Sequence, residues 1–274
     1  MIRLGLIGYP LEHSLSPKIH DAALKACGLG GDYSLFPIFL NNDQALRDLL
    51  VRVRSGEIRG LNVTIPHKQN IIQFLDELTP TAKAIGAVNT IFLRDEKLVG
   101  ENTDAPGFSS DLKKFIGDRE LENSKLALVL GAGGSARAVV YALINDGWDV
   151  TVAARRFEQA QELARLFENA DAIEFNFRTF QHLNVQLIVN ATPIGMFPNI
   201  NQSPLPGEIK LSHDIFVYDL VYNPRETKLV GDAHTQGLNS ITGLGMLIEQ
   251  AALAFEIWTG CSPARDILLE SINH

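Results

Sequence analysis

Cysteine is scarce: Cys27 and Cys261 are the only two in 274 residues, and neither lies in a CxxC or Cys/His cluster. Such spacing suggests neither a disulfide framework nor a structural zinc site, so the expectation is two mostly buried thiols and no bound metal. No basic block occurs either. With 24 Lys and Arg against 32 Asp and Glu, the formal charge is -8. That field offers no footprint for a nucleic-acid backbone or an anionic membrane, and neither partner is expected. No run of 18 apolar residues is present. The opening MIRLGLIGYP lacks the longer apolar core and cleavage pattern of a secretory leader, which favours a cytoplasmic enzyme or binding protein. What remains, 46% hydrophobic and 20% charged residues, belongs to a folded chain rather than a disordered one.

Strand and helix patterns alternate from the start. Residues 3–9 read as a short buried strand, followed by a helix with Ile19, Ala22, Ala23 and Ala26 on one face. A strand over 33–39, a helix over 43–53 and a strand over 60–65 follow, the last broken by Pro66. Ile71, Ile72, Leu75 and Leu78 mark a helix, and AVNTIFLRDEKLVG reads as a hairpin. Polar residues with Pro106 and Gly107 mark a domain crossing. Next come a strand over 125–130, a helix through Ile144, a strand over 148–153 and a helix over 158–167, the order of a nucleotide-binding half of a doubly wound sheet. Strands over 186–190 and 215–219 follow, then helices over 245–258 and 263–272. The fold class is α/β. A substrate domain is expected over 1–104 and 238–274, with a Rossmann-like dinucleotide domain over 105–237 and a returning carboxyl-terminal helical segment.

GAGGSAR, residues 131–137, carries the first chemical signal. Alone it could be a turn, but here it follows an apolar strand and opens a helix. Glycines at 131 and 133 allow a tight turn and close backbone approach, and Ala136 is small enough for close helix–sheet packing, so the helix start can receive a pyrophosphate. At the end of the next strand an Asp or Glu would accept from a free ribose 2'-hydroxyl; this chain has Arg155 and Arg156 instead. Guanidinium groups suit a 2'-phosphate, which favours NADP over NAD, although either arginine also reads as a solvated surface residue. Arg137 approaches phosphate or pairs on the surface. Thr192 borders the nicotinamide or belongs to a plain Pro-Gly loop.

In GLNVTIPHK, Asn62 and Thr64 share one face of a strand, since side-chain direction repeats every two residues. Lys68 follows Pro66 in what should be the first turn of a helix. That positive end is a poor place for a cation, so a functional role is favoured, and both the field and partial burial would favour a neutral amine suited to proton exchange. His67 reads as a base or, more readily, as a packing residue. Asp104 either caps the following helix or faces the cleft. Ser14, Ser16 and Asn89 offer small polar groups to a hydroxylated substrate.

Taken in order, SLSP (14–17), NVTIPHK (62–68), AVNT (87–90), NTDAPG (102–107), GAGGSAR (131–137), DLVYNP (219–224) and GLGMLIEQA (243–251) make the chain resemble shikimate dehydrogenases through essentially its whole length. The resemblance implies an oxidoreductase of chorismate and aromatic amino-acid biosynthesis that reversibly reduces 3-dehydroshikimate to shikimate with NADPH, as a monomer or homodimer. It implies that Lys68 and Asp104 are the catalytic pair, with Lys68 passing a proton to the developing alkoxide while Asp104 holds the oxygen and lysine in register. It assigns Ser14, Ser16, Asn62, Thr64, Lys68, Asn89, Asp104, Tyr222 and Gln250 to substrate. Gly131, Ala132, Gly133, Gly134, Ser135, Ala136, Arg155, Gly243 and Met246 fall to the cofactor, beside Arg156 and Thr192.

Two positions depart from the family's pattern. Ala154-Arg155-Arg156 stands where Asn-Arg-Thr is common, and Glu101 stands where Tyr precedes Asn-Thr-Asp. Glu101 is expected to face solvent or, alternatively, to perturb the adjacent Asp104 carboxylate. The competing readings are a quinate/shikimate dehydrogenase using NAD or NADP, against whose NAD preference Arg155 argues, and a noncatalytic ligand-sensing homologue, against which Lys68 and Asp104 argue.

Overall fold

The computed structural model describes residues 1–119, 125–176, 184–205, 209–212 and 214–273. They divide into two compact units, Met1–Gly107 with Leu247–His274, and Phe108–Met246.

The first unit is built on a six-stranded mixed sheet. Its strands are β1 (Ile2–Gly8), β2 (Gly31–Pro37), β3 (Gly60–Val63), β4 (Glu77–Leu78), β5 (Thr90–Arg94) and β6 (Lys97–Glu101), in the order β2-β1-β3-β5-β6-β4. Between them run α1 (Ser16–Ala26), α2 (Asp43–Arg54) and α3 (Pro80–Ile85). Local chemistry fixes the ends of these elements. Asn42 Oδ1 accepts the Ala45 N–H at the start of α2, and Thr79 Oγ1 accepts the Ala82 N–H at the start of α3. Asp95 and Glu96 take positive φ values of 49° and 62°, the tight two-residue turn between β5 and β6. Leu46, Leu49, Leu50 and Val53 of α2 fill the core against Leu61, Val63 and Ile91.

The pairing pattern gathers the site. β3 runs parallel to β1, β5 is antiparallel to β3 with Asn62 opposite Thr90, and β6 is antiparallel to β5 with Thr90 opposite Glu101. The segments after β1, after β3, before β5 and after β6 therefore lie at one edge of the sheet. That edge carries residues 14–16, 64–68, 89 and 102–104.

The second unit has a wholly parallel six-stranded sheet of β7 (Leu126–Leu130), β8 (Asp149–Ala154), β9 (Ala170–Glu174), β10 (Leu187–Asn190), β11 (Phe216–Asp219) and β12 (Asn239–Thr242). The order β12-β11-β10-β7-β8-β9 is the doubly wound dinucleotide-binding arrangement, which reverses direction between β7 and β10. The central strands β7, β10 and β11 are too buried to show the period-2 alternation of a half-exposed strand. Helices α5 (Gly134–Asn145), α6 (Phe157–Ala164) and α7 (Lys228–Thr235) belong to this unit. Helices α4 (Asp104–Ile116) and α8 (Leu244–Thr259) begin in one unit and end in the other, and α9 (Arg265–Glu270) closes the chain.

Several expectations change. β12 pairs with β11, so residues 238–246 lie with the dinucleotide sheet and the chain returns at Leu247 rather than at 238. The apolar spacing at 71–78 yields a short 3-10 helix, Asn70–Phe74, and then β4. The two cysteines are bonded to each other: Cys27, just after α1, and Cys261, just after α8, form a disulfide across a Cα–Cα distance of 6.4 Å. Both are half-buried, and the expectation of two buried free thiols is wrong. The disulfide ties the two stretches of chain that make up the first unit. Trp258 of α8 reinforces the same junction, because its indole N–H donates to the Ile91 carbonyl at 3.0 Å and its ring lies where a side chain on Gly60 would sit. Among the described residues no helix is long and apolar enough to cross a membrane.

Candidate active site

Lys68 and Asp104 meet. The ammonium Nζ donates to Asp104 Oδ2 at 2.5 Å, and both side chains are largely buried. Lys68 does not open an α-helix, however. It lies in a turn two residues before the 3-10 helix, so the helix-terminus argument for a neutral amine falls away, and the carboxylate is its evident partner. Asp104 is not the cap of α4 either. Asn102 Oδ1 accepts the Ala105 N–H at 3.2 Å in that role, while Asn102 Nδ2 donates to the Ala87 carbonyl. The Asp104 carboxylate is thereby left for the lysine.

Asn89 holds the other side of that carboxylate. Its Nδ2 donates to Asp104 Oδ1 at 2.8 Å and to Thr103 Oγ1 at 2.9 Å, with Gln250 Oε1 at 3.4 Å. Its Oδ1 accepts from the Thr103 N–H at 2.8 Å and from the Thr90 hydroxyl at 3.0 Å. With every polar atom engaged, the Asn89 amide cannot rotate without breaking several bonds at once, so its donor points at Asp104. Asn62 supports Asn89 from behind. Asn62 Nδ2 donates to the Asn89 carbonyl at 3.2 Å, and its Oδ1 accepts from the Tyr33 hydroxyl at 2.8 Å. Gln250 comes from α8, which packs closely on α4: a Cβ on Gly107 would sit 2.9 Å from the Gln250 backbone nitrogen.

Ser14, Ser16 and Thr64 stand at the same sheet edge. Ser14 Oγ accepts the Ser16 N–H at 3.3 Å, and the Thr64 N–H donates to the Ile7 carbonyl. His67 is fully buried and donates from Nε2 to the Ile38 carbonyl at 2.7 Å, a packing role. Glu101 does not simply face solvent: half-buried, it accepts at Oε1 from the Thr79 hydroxyl and the Asn102 N–H. Of this network, Tyr33 lies in no motif, and Thr90 and Thr103 lie within AVNT and NTDAPG but carry no expected role there. Only their hydrogen bonds to Asn62 and Asn89 in the fold reveal them.

In the second unit the GAGGSAR turn leaves β7 at the point where strand order reverses. Gly131 has φ +113°, a conformation strained for any side chain, and a Cβ there would crowd the Ala191 carbonyl oxygen at 3.0 Å. Gly133 caps α5 with no side chain over the first turn, nothing lies within 4 Å of where its Cβ would be, and that turn carries no acid. Arg137 Nε, buried at this helix start, has no hydrogen-bond partner among the described residues. A pyrophosphate fits such a helix end, which offers open space and donor N–H groups. Arg155 and Arg156, at the end of β8, are exposed, and no acid among the described residues pairs with either. They are available to a 2'-phosphate. Thr192 is held by Asn190, whose Oδ1 accepts both the Thr192 N–H and its hydroxyl.

Met246 is buried, and its N–H donates to the Tyr218 hydroxyl, which itself donates to Asp111 Oδ2 at 2.6 Å. Burial, and then the Asp111 charge, raises the Tyr218 phenol well above its ordinary value; burial raises that of Tyr222. Gly243 packs against the Leu220 backbone, with no room for a side chain.

Comparison with known proteins identifies the surroundings of these residues. Residues 6–91 match the shikimate dehydrogenase substrate binding domain, 114–195 match shikimate / quinate 5-dehydrogenase, and 243–272 match the shikimate 5'-dehydrogenase C-terminal domain. The chain belongs to the shikimate dehydrogenase family. It is 42% identical to the shikimate dehydrogenase (NADP(+)) of Methanocaldococcus jannaschii over 98% of its length and 95% of that protein. With the enzyme of the same name from Carboxydothermus hydrogenoformans it shares 40% identity, over 98% and 95% of the two chains. The solved shikimate 5-dehydrogenase of Thermus thermophilus, in complex with NADP(H) and shikimate, superposes with a TM-score of 0.87 at 39% identity, covering 99% of this chain and 98% of that one.

Proposed function

We propose that the chain catalyses the reversible NADPH-dependent reduction of 3-dehydroshikimate to shikimate, within chorismate and aromatic amino-acid biosynthesis, and that Lys68 and Asp104 are its catalytic pair. The observation that carries this reading is the 2.5 Å contact between Lys68 Nζ and Asp104 Oδ2, with Asn89 fixing the second carboxylate oxygen.

NADP(H), when bound, supplies or accepts the hydride at nicotinamide C4. Lys68 Nζ delivers the proton to the carbonyl oxygen as negative charge develops there, and takes it back in the oxidative direction. Asp104 holds the lysine and the reacting oxygen in register, and its own position is set by Asn89. Ser14, Ser16, Thr64 and Gln250 offer hydrogen bonds to the hydroxyl and carboxylate groups of the substrate, with Tyr222 near its ring or carboxylate, whereas Asn89 acts chiefly by holding Asp104, since its amide is spent on Asp104, Thr103 and Thr90. Asn62 contributes chiefly by holding Asn89, since its amide is spent on Tyr33, Thr90 and the Asn89 carbonyl.

For the cofactor, the open turn at Gly131, Ala132, Gly133 and Gly134, with Ser135 and Ala136 opening α5, receives the pyrophosphate. Arg155, then Arg156, meets the 2'-phosphate. Thr192, Gly243 and Met246 border the nicotinamide. The two substrate-binding stretches form one domain and residues 108–246 the NADP domain. The enzyme works in the cytoplasm as a monomer or homodimer, and a bonded Cys27–Cys261 pair in that compartment has its precedent in hyperthermophile proteins.

Steady-state assays with shikimate and quinate, each paired with NADP and NAD, test the reading. Shikimate with NADP is expected to give the highest kcat/KM. Folded protein with no shikimate-dependent NADP reduction would overturn it.

A further inference from the structure

Two loops leave the carboxyl ends of neighbouring parallel strands in the dinucleotide sheet, one after Asn190 of β10 and one after Asp219 of β11, and the register places these two residues side by side. Asp219 is wholly buried, and no cation among the described residues pairs with it. A buried carboxylate survives only where donors converge on it. Three do so here: Asn190 Nδ2 at 2.8 Å, the Val221 N–H at 3.0 Å and the Thr227 hydroxyl at 2.6 Å. Asn190 carries the connection onward. Its Oδ1 accepts from the Thr192 N–H at 3.0 Å and hydroxyl at 2.7 Å, and its Nδ2 also reaches the Ile194 carbonyl at 3.2 Å.

We infer that Asp219 is a positioning residue for the reaction: through Asn190 it fixes Thr192 on the cofactor side, and through Val221 it fixes the segment that carries Tyr222 on the substrate side. The roles proposed for Thr192 and Tyr222 underlie this. Asp219 Oδ1 alone accepts from both Asn190 Nδ2 and the Val221 N–H, while Oδ2 accepts from the Thr227 hydroxyl, so truncating the side chain removes the one acceptor that the two loops share. Thr227 also starts α7 by accepting the Val230 N–H, so the far end of the second loop is tied to the same carboxylate. Desolvation by burial raises the Asp219 carboxyl to about 6, an effect its three donors only partly offset.

The test compares three variants of the full-length enzyme by steady-state kinetics. Asp219→Ala is expected to raise KM for both NADP and shikimate about tenfold, each being the fold-change of one lost hydrogen bond to a charged group. Asn190→Ala is expected to raise KM for NADP by a similar factor and to change KM for shikimate less than twofold, because only the first loop is released. Thr192→Val checks the underlying assignment. If it raises KM for NADP while Asp219→Ala leaves both constants at wild-type values, the positioning claim falls and the assignment of Thr192 stands. If Thr192→Val has no effect on NADP, that assignment falls and takes the claim with it. Should Asp219→Ala fail to fold, Asn190→Ala carries the test, and equal effects on both constants would overturn the inference. A merely structural Asp219 would lower thermal stability and leave both KM values unchanged.

Discussion

Asn89 donates to the carboxylate oxygen of Asp104 that Lys68 does not hold, at 2.8 Å. The Asp104 carboxylate is therefore clamped from two sides, by a cation on one oxygen and by a fully engaged amide on the other. Removing the amide is expected to free the carboxylate without removing any group that transfers a proton. Asn89→Ala should lower kcat/KM for shikimate about 10- to 100-fold, the loss that accompanies one unsatisfied buried acceptor, with KM for NADP unchanged. Titrating both substrates against the variant checks this, and an equal rise in the NADP constant would point to general unfolding instead.

Arg155 is exposed and unpaired among the described residues, so its loss should cost little stability. Arg155→Ala is expected to raise KM for NADP about tenfold or more, the worth of a charge-assisted hydrogen bond to phosphate, and to change KM for NAD less than twofold. Side-by-side kinetics with the two cofactors decide it. Equal effects on both would remove the arginine from the 2'-phosphate site.

The Cys27–Cys261 disulfide closes a loop of 234 positions that contains the whole of the second unit. Cross-linking so long a loop restricts the unfolded chain strongly, and its loss is expected to cost about 2–4 kcal/mol. Urea unfolding of wild type with and without reductant, beside a Cys27→Ser/Cys261→Ser variant, measures this. Reductant should shift the wild-type midpoint down to that of the variant and leave the variant unmoved.

Asp219 gives stability a pH dependence of determined sign. Burial raises its carboxyl from an ordinary 3.8 to about 6, so between those values the folded chain holds more protons than the unfolded one. This contribution to stability is fully present below about pH 4 and is lost as pH rises through about 6, amounting to about 3 kcal/mol. The difference in unfolding free energy between wild type and Asp219→Asn, followed from pH 4 to pH 7, should move against wild type as pH rises. A difference independent of pH would contradict it.

The motifs that carry most meaning in the sequence are those whose chemistry is local. GAGGSAR after an apolar strand, the arginines after the next strand, and the Asn-Thr-Asp and Asn-Val-Thr-Ile-Pro-His-Lys segments each hold their residues within a few positions. Contacts made across the sheet are not legible. Tyr33 and Thr90 meet Asn62 only through strand register, and Cys27 reaches Cys261 only because α1 and α8 come together in the first unit. Asp219 reads as the end of a strand, since nothing in DLVYNP shows that Asn190 lies beside it. The departure at Lys68 has a different cause. Apolar residues at 71, 72 and 75 satisfy a helical spacing, but the turn at 66–69 leads into only five residues of 3-10 helix.

The central claim is that the Lys68–Asp104 pair moves the proton in this reaction, and the most direct measurement is the kcat for shikimate oxidation by Lys68→Ala beside its affinity for NADP. A fall in kcat of about 10²- to 10⁴-fold is expected, the usual worth of a positioned acid–base group, with NADP affinity of the folded variant close to wild type. Wild-type turnover by the folded variant would contradict it.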